Sequence, residues 1–361
     1  MRRMLAGLVL ACGAAGAGLG WGAHGHRTIT YLALKGLPAD APEWMRSART
    51  RELVAEQSNE PDRWRGLPSR YLKHENDPDH YIDVELLAQF GLTLQTVPPL
   101  RNEYLRAMAI AKHTHPESVE PYDAAKDPEA AKEWPGFLPH AIAEHYAKLR
   151  ASLLIYRTVE ALGEPDRAHQ LELAQQNVIY HMGVLSHFVG DAAQPLHTTK
   201  HHHGWVGPNP EQYTTRGGIH SYIDSAIVDL HGLDEHNLAP LVDASRAVTA
   251  ADPWPETLAY IERSFREVEP LYRLEKTGEL DRDPGKQFIS VRLADAASML
   301  GALYRAAWES SAPTEQDLAA FVKYNNFRRA QPAEPGAASR NGALSRPTEP
   351  ERLPGPVRPA R

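Results

Sequence analysis

The sequence predicts an all-α protein, a single mostly helical domain with long loops. Three observations predict it. Apolar residues recur with the helical period along most of the chain, and several of these stretches are long and amphipathic. Runs of alternating β-branched residues, the mark of strands, are scarce. The first helix is expected from His26 to Leu37, and the next clear one from Asn102 to Lys112. Leu138 to Leu162 is long and strongly amphipathic. A Gly163-Glu164-Pro165 break separates it from a helix over Asp166 to Phe188. Further helices are expected at Gly218–Leu230, Leu238–Ala250, Pro255–Leu274, Lys286–Ser310 and Thr314–Phe327. Asp123 to Pro135, rich in Asp, Glu, Ala and Pro, is expected to be an irregular surface insertion.

The ends have a different composition. Residues 1–20 carry Arg2 and Arg3, an apolar run from Met4 to Ala11, then small residues to Gly20. That order is expected of a cleavable signal peptide, and the apolar run is too short to span a bilayer. The protein is therefore expected to be secreted or periplasmic, without a stable membrane anchor. Cleavage after Gly20 would make Trp21 the first residue. Val9-Leu10-Ala11-Cys12 is a weaker match to a lipoprotein site, and processing there would leave Trp21 internal. Residues 329–361 are rich in proline and poor in large apolar side chains, so they are expected to form a disordered tail. The folded domain is expected at 21–328.

Composition narrows the chemistry. The 361 residues allow one large domain, and 42 % are hydrophobic, enough for a substantial core. The formal charge is −7 and becomes more negative without Arg2 and Arg3, which argues against a broad basic surface for duplex nucleic acid. Any phosphate chemistry must then rely on local positive charge, such as metal ions. The single cysteine, Cys12, lies in the signal segment, so thiolate–zinc sites and disulfides are excluded from the processed chain. No phosphate-binding loop, nucleophile elbow or dinucleotide fingerprint is present.

The chain has 18 histidines, and pairing singles some of them out. His187 and Asp191 lie four apart on an expected helix, so both leave one face. His197 follows just beyond the helix end marked by Gln194-Pro195. His220 and Asp224 repeat the spacing. Imidazole with carboxylate, without thiolate, suits zinc in a hydrolytic site. An isolated pair of this kind is more simply a helix-surface hydrogen bond. Upstream, Asp62 precedes Arg65, and His80 sits in Asp79-His80-Tyr81-Ile82-Asp83. Alone, these read as a solvated turn and a loop histidine.

Trp21 with His26, then Asp62, His80, His187-Phe188-Val189-Gly190-Asp191 through Pro195-Leu196-His197, and His220 with Asp224 follow in one order. In this the chain resembles the zinc-dependent single-strand nucleases typified by nuclease P-one and nuclease S-one, relatives of the bacterial zinc-dependent phospholipases C. The resemblance covers residues 21 to about 325. It implies a helical phospholipase C/nuclease P-one-like fold and three Zn2+ ions. Asp62, His80, His187 and Asp191 would hold the first. Trp21, through its amine and carbonyl, with His26 and Asp191 would hold a close neighbour. His197, His220 and Asp224 would hold a third, more open one. Arg65 matches an arginine beside the scissile phosphate. Tyr81 stands where an aromatic stacks on a base, and Asp83 where a carboxylate accepts hydrogen bonds from it. For Tyr81 and Asp83 the plainer alternatives are packing and a turn hydrogen bond.

The implied activity is hydrolysis of single-stranded DNA and RNA to 5′-phosphate products, and it admits 3′-nucleotidase activity as well. No obligate protein partner is implied. Two other readings stay open. A zinc-dependent phospholipase C would use the same centre on phospholipid head groups. Asp224, where that branch typically has Glu, and the Tyr81–Asp83 pair favour a nucleotide. A secreted zinc-storing or adhesive protein would explain the histidines but not Asp62 with Arg65. His24 and His201-His202-His203 are expected to serve loop structure or to support the ligands, and Trp205 is a candidate lining residue.

Overall fold

The computed structural model describes residues 21–325, so the expected signal peptide and the tail at 329–361 lie outside the described residues. Those residues are helical, with no strand among them, and form one unit. The N-terminal part holds five helices: α1 (Gly22–Leu34), α2 (Glu43–Arg46), α3 (Ala48–Gln57), α4 (Glu60–Arg65) and α5 (Arg70–Asn76). The first starts before the expected His26. The three from Ala48 to Asn76 were not expected from periodicity, because each is short and carries a narrow apolar face. Local caps start two of them. Ser47 Oγ accepts the Thr50 N–H at 3.1 Å, and Ser69 Oγ accepts the Leu72 N–H at 3.4 Å.

After 3-10 turns come α6 (Arg101–Thr114), α7 (Leu138–Leu162) and α8 (Ala168–Ala193). The 123–135 stretch is irregular apart from one 3-10 turn, Ala124–Lys126. Next, α9 (Ile219–Ser221) passes through a π-helical turn, Tyr222–Ala226, into α10 (Ile227–Leu230). Then follow α11 (Glu235–Leu238), α12 (Trp254–Phe265), α13 (Val268–Thr277), α14 (Asp283–Glu309) and α15 (Glu315–Tyr324).

Two expected helices are corrected. Pro255–Leu274 is not one helix but two, separated at Arg266 and Glu267. Pro270 has no N–H to give Arg266, and its ring would strike that carbonyl, so Pro270 is confined to the first turn of a new helix. Leu238–Ala250 is almost entirely non-helical. Beyond a 3-10 turn over Ala239–Leu241, Asp243 Oδ1 takes the Ser245 N–H at 2.9 Å and its hydroxyl at 2.6 Å. Such local side-chain bonds compete with a helix.

The core runs along α8. It packs against α7, α14 and α3, while α1 packs on α14 and α3. Phe188, Leu185, Val189, Leu300 and Leu303 are buried there. Each contributes roughly 1.5–3 kcal/mol by leaving water. Side chains also tie the C-terminal half of α8 to its neighbours. Tyr304 Oη donates to Met182 O and Tyr260 Oη to Val189 O, both at 2.7 Å. Trp21 Nε1 donates at 2.8 Å to Gly190 O, one of the last carbonyls without a helical partner. Among the described residues no helix is long and apolar enough to cross a membrane.

Candidate metal centre

Six segments deliver the predicted ligands to one place. His26 leaves α1, Asp62 leaves α4, and His80 ends a 3-10 turn after α5. His187 and Asp191 leave α8, and His197 lies on the 3-10 turn Pro195–Thr198. His220 and Asp224 come from α9 and the π turn, a distortion frequent at functional sites. All of them are buried, with Asp62 the most open. Their donor atoms form three groups able to hold a metal ion: His26, Asp62 and His187; His80, His187 and Asp191; and His197, His220 and Asp224.

The first two groups interleave. His187 Nε2 lies 3.0 Å from His80 Nδ1, 3.4 Å from Asp191 Oδ2 and 3.9 Å from Asp62 Oδ1. The two oxygens of Asp191 face different partners. Oδ2 is 3.0 Å from His80 Nδ1, whereas Oδ1 is 3.4 Å from His26 Nε2. His187 is common to both groups, and Asp191 stands between His80 and His26. The third group sits alongside, with His220 Nε2 3.2 Å from Asp224 Oδ2 and His197 Nδ1 3.7 Å from Asp191 Oδ2.

The donor atoms fit a metal for a second reason. Both ring nitrogens of His26 and of His220, Nε2 of His197, and one oxygen each of Asp62, Asp191 and Asp224 are buried without a hydrogen-bond partner among the described residues. Buried polar atoms are rarely left so, and each costs about 1–3 kcal/mol unless something binds it. The opposite ring nitrogens are oriented instead. His187 Nδ1 bonds Ser58 O at 2.8 Å, and His197 Nδ1 bonds His80 O at 2.6 Å. A carbonyl only accepts, so it fixes the N–H on that side and leaves the other nitrogen a lone pair.

Electrostatics run the same way. Burial lowers the pKa of His26, of His80 to about 3, and of His220 well below its usual value. Their rings stay neutral, the form that binds metal. For His187 burial acts downward, but the Asp191 and Asp62 charges outweigh it and raise its pKa. Burial opposes ionisation of Asp191, yet His197 and His187 hold it well below the usual carboxylate range. Asp224 is raised by burial, against which Gln194 Nε2 donates to its Oδ1 at 2.7 Å.

Arg65 Nη1 is 3.7 Å from Asp62 Oδ1 and its Nε is 3.8 Å from Asp77 Oδ1. Tyr81 directs its hydroxyl to Ala131 O at 2.9 Å. Its ring lies 6.4 Å from that of His202. The Oδ1 of Asp83 is buried without a hydrogen bond, and burial raises its pKa to about 8. Trp21 is fully buried, and its indole N–H reaches the carbonyl of Gly190, the residue before Asp191. Its carbonyl accepts the Gly25 N–H at 3.1 Å. Trp205 lines a pocket with Glu85 and His201. It stacks on His201 at 3.9 Å and 6° and packs against Tyr213 and Tyr272. His24 stands outside the centre, 2.9 Å from Asp229.

Sequence reasoning missed the residues that orient the ligands. Gln194 was visible inside the Gln-Pro-Leu-His string, and Asn76, whose amide lies 3.1 Å from His80 Nε2, stands four residues before His80. No protein-family model matches the chain, and no curated protein matches it.

Proposed function

We propose that the protein is a zinc-dependent nuclease, exported and processed to begin at Trp21, that hydrolyses phosphodiester bonds of single-stranded DNA and RNA and leaves 5′-phosphates. The observation that carries this reading is the convergence of unpartnered, buried imidazole and carboxylate atoms around Asp191, whose oxygens face two different groups. Asp62, His80, His187 and Asp191 would hold one ion. His26 and Asp191, with the Trp21 amine and carbonyl, would hold its neighbour, and His197, His220 and Asp224 the third. Zinc held by such donors lowers the pKa of water and offsets charge on a phosphodiester.

The chain's own groups supply the rest. Arg65 offers guanidinium N–H groups beside Asp62, suited to the charge that builds on phosphate oxygens during displacement. Tyr81 offers a ring, and stacking on a base is worth about 1–3 kcal/mol. Asp83, its carboxyl held protonated up to about pH 8, both donates and accepts at a base edge.

The test is metal analysis and product identification on protein purified in its processed form. About three zinc ions per chain and nucleotides ending in 5′-phosphate are expected. Release of diacylglycerol from phospholipid with no nucleotide from single strands replaces this reading with the phospholipase. Bound zinc with no hydrolysis of bis-p-nitrophenyl phosphate leaves a metal-storage protein.

A further inference from the structure

The 123–135 stretch has an ordered fold and reaches the centre. Asp127 staples it. Its carboxylate accepts the Ala131 N–H at 3.1 Å, the Lys132 N–H at 2.7 Å and the Tyr122 hydroxyl at 2.9 Å. The far end is tied to the ligand-bearing chain. Ala131 O receives the Tyr81 hydroxyl, and Pro135 O receives the Asp83 N–H at 2.6 Å. Gly136, at φ +104°, packs so tightly that a Cβ there would fall 2.1 Å from Tyr81 O. The loop therefore cannot swing away without moving Tyr81.

Held between these anchors is Lys132. Its side chain is exposed, with no ion pair or hydrogen bond among the described residues. By contrast, Lys126 on the same loop pairs with Asp123 at 3.2 Å and Lys112 pairs with Glu133 at 2.9 Å. Lys132 directly follows Ala131, whose carbonyl receives the Tyr81 hydroxyl, and the Tyr81 ring lies 6.4 Å from that of His202. Burial first, and the Lys132 charge in addition, lowers the pKa of His202 and His203. His203 in turn lies 5.5 Å, ring to ring, from His220. A lysine without an ion pair among the described residues thus stands beside Tyr81, on the approach to His202, His203 and His220. In a chain of charge −7, an unpaired cation there has a polyanion as its natural partner.

We propose that Lys132 forms a subsite for a neighbouring phosphate of a bound strand, one position from the phosphodiester at the centre. This rests on the nuclease reading and makes the substrate a strand rather than a mononucleotide. Arg65 would serve the reacting phosphate and Lys132 the next, so that the loop gives grip on polymers without a broad basic surface.

The experiment measures binding of a fluorescent single-stranded oligonucleotide with a phosphorothioate backbone across salt concentrations. Wild type, Lys132→Ala, Lys132→Arg and Lys126→Ala are compared, with hydrolysis of a normal strand and of bis-p-nitrophenyl phosphate in parallel. Lys132→Ala is expected to bind roughly three- to tenfold more weakly, with the log–log salt slope reduced by about 0.7. Lys132→Arg should keep the wild-type slope, as should Lys126→Ala. Strand cleavage should suffer through KM, and more than ester hydrolysis does. An unchanged slope in Lys132→Ala while nucleotides are still released overturns the subsite and spares the nuclease. A Lys132-dependent slope with no nucleotide released upholds the subsite and overturns the nuclease.

Discussion

Gln194 shows how one side chain conditions a metal group it does not join. Its amide nitrogen donates to Asp224 Oδ1 at 2.7 Å, and its amide oxygen accepts the Leu196 N–H at 2.5 Å. The side chain therefore braces the turn that carries His197 while favouring the ionised form of Asp224. Burial raises the Asp224 pKa, so protons compete with a metal there, increasingly as pH falls. Removing the donor should raise that pKa further and move metal loss to higher pH. Gln194→Leu is thus expected to weaken retention of one ion about 10–100-fold. Zinc remaining after dialysis against graded chelator, read at several pH values, measures this. Retention equal to wild type at every pH would mean that the amide has no such role.

At the scale of elements, α8 is the spine because it can be approached closely. A Cβ on Gly183 would fall 2.3 Å from Gln57 Cβ and 2.8 Å from Val54 O, so α3 lies almost directly on the helix backbone. Gly190 gives His26 similar room, since a Cβ there would be 2.7 Å from His26 Nδ1. Alanine normally stabilises a helix by about 1 kcal/mol over glycine. At Gly183 the clash should win, because overpacking costs about 1–3 kcal/mol and the obstacle is main chain. Gly183→Ala should therefore lower the denaturant midpoint and loosen Ser58, which orients His187. A midpoint at or above wild type would show that α3 yields freely. The sequence made α7, α8 and α14 legible because long helices repeat their apolar faces many times. It did not show α3, α4 and α5, which are too short to repeat a pattern. It misled over Pro255–Leu274, where the apolar face continues but Pro270 cannot. Spacing alone singled out His187 with Asp191 and His220 with Asp224, whereas Trp21, His26, Asp62 and His80 entered the candidate ligand set only through the family resemblance. The orienting partners Ser58 O and His80 O were not legible, because any residue supplies a carbonyl and only the fold brings it there.

For the whole molecule, the centre and the apolar core are separable sources of stability. The contacts among α7, α8 and α14 are made by buried apolar side chains and need no ion. At the ligand end of α8, by contrast, α1, α4, the His197 turn and the 219–226 segment meet Asp191 with buried polar atoms that have no hydrogen-bond partner among the described residues. A bound ion would satisfy them and draw five separate segments together, so its binding energy becomes folding energy. At free zinc about a thousandfold above Kd the stabilisation is about 4 kcal/mol per site. For a domain of this size that corresponds to roughly 6 °C in Tm. Chelation should leave the helical circular dichroism at 25 °C nearly intact while the melting transition moves down by about that much per site vacated. Readdition of zinc should reverse the shift. Complete loss of helical signal on chelation would mean that the core depends on the centre, and an unmoved transition would mean that no ion occupies it.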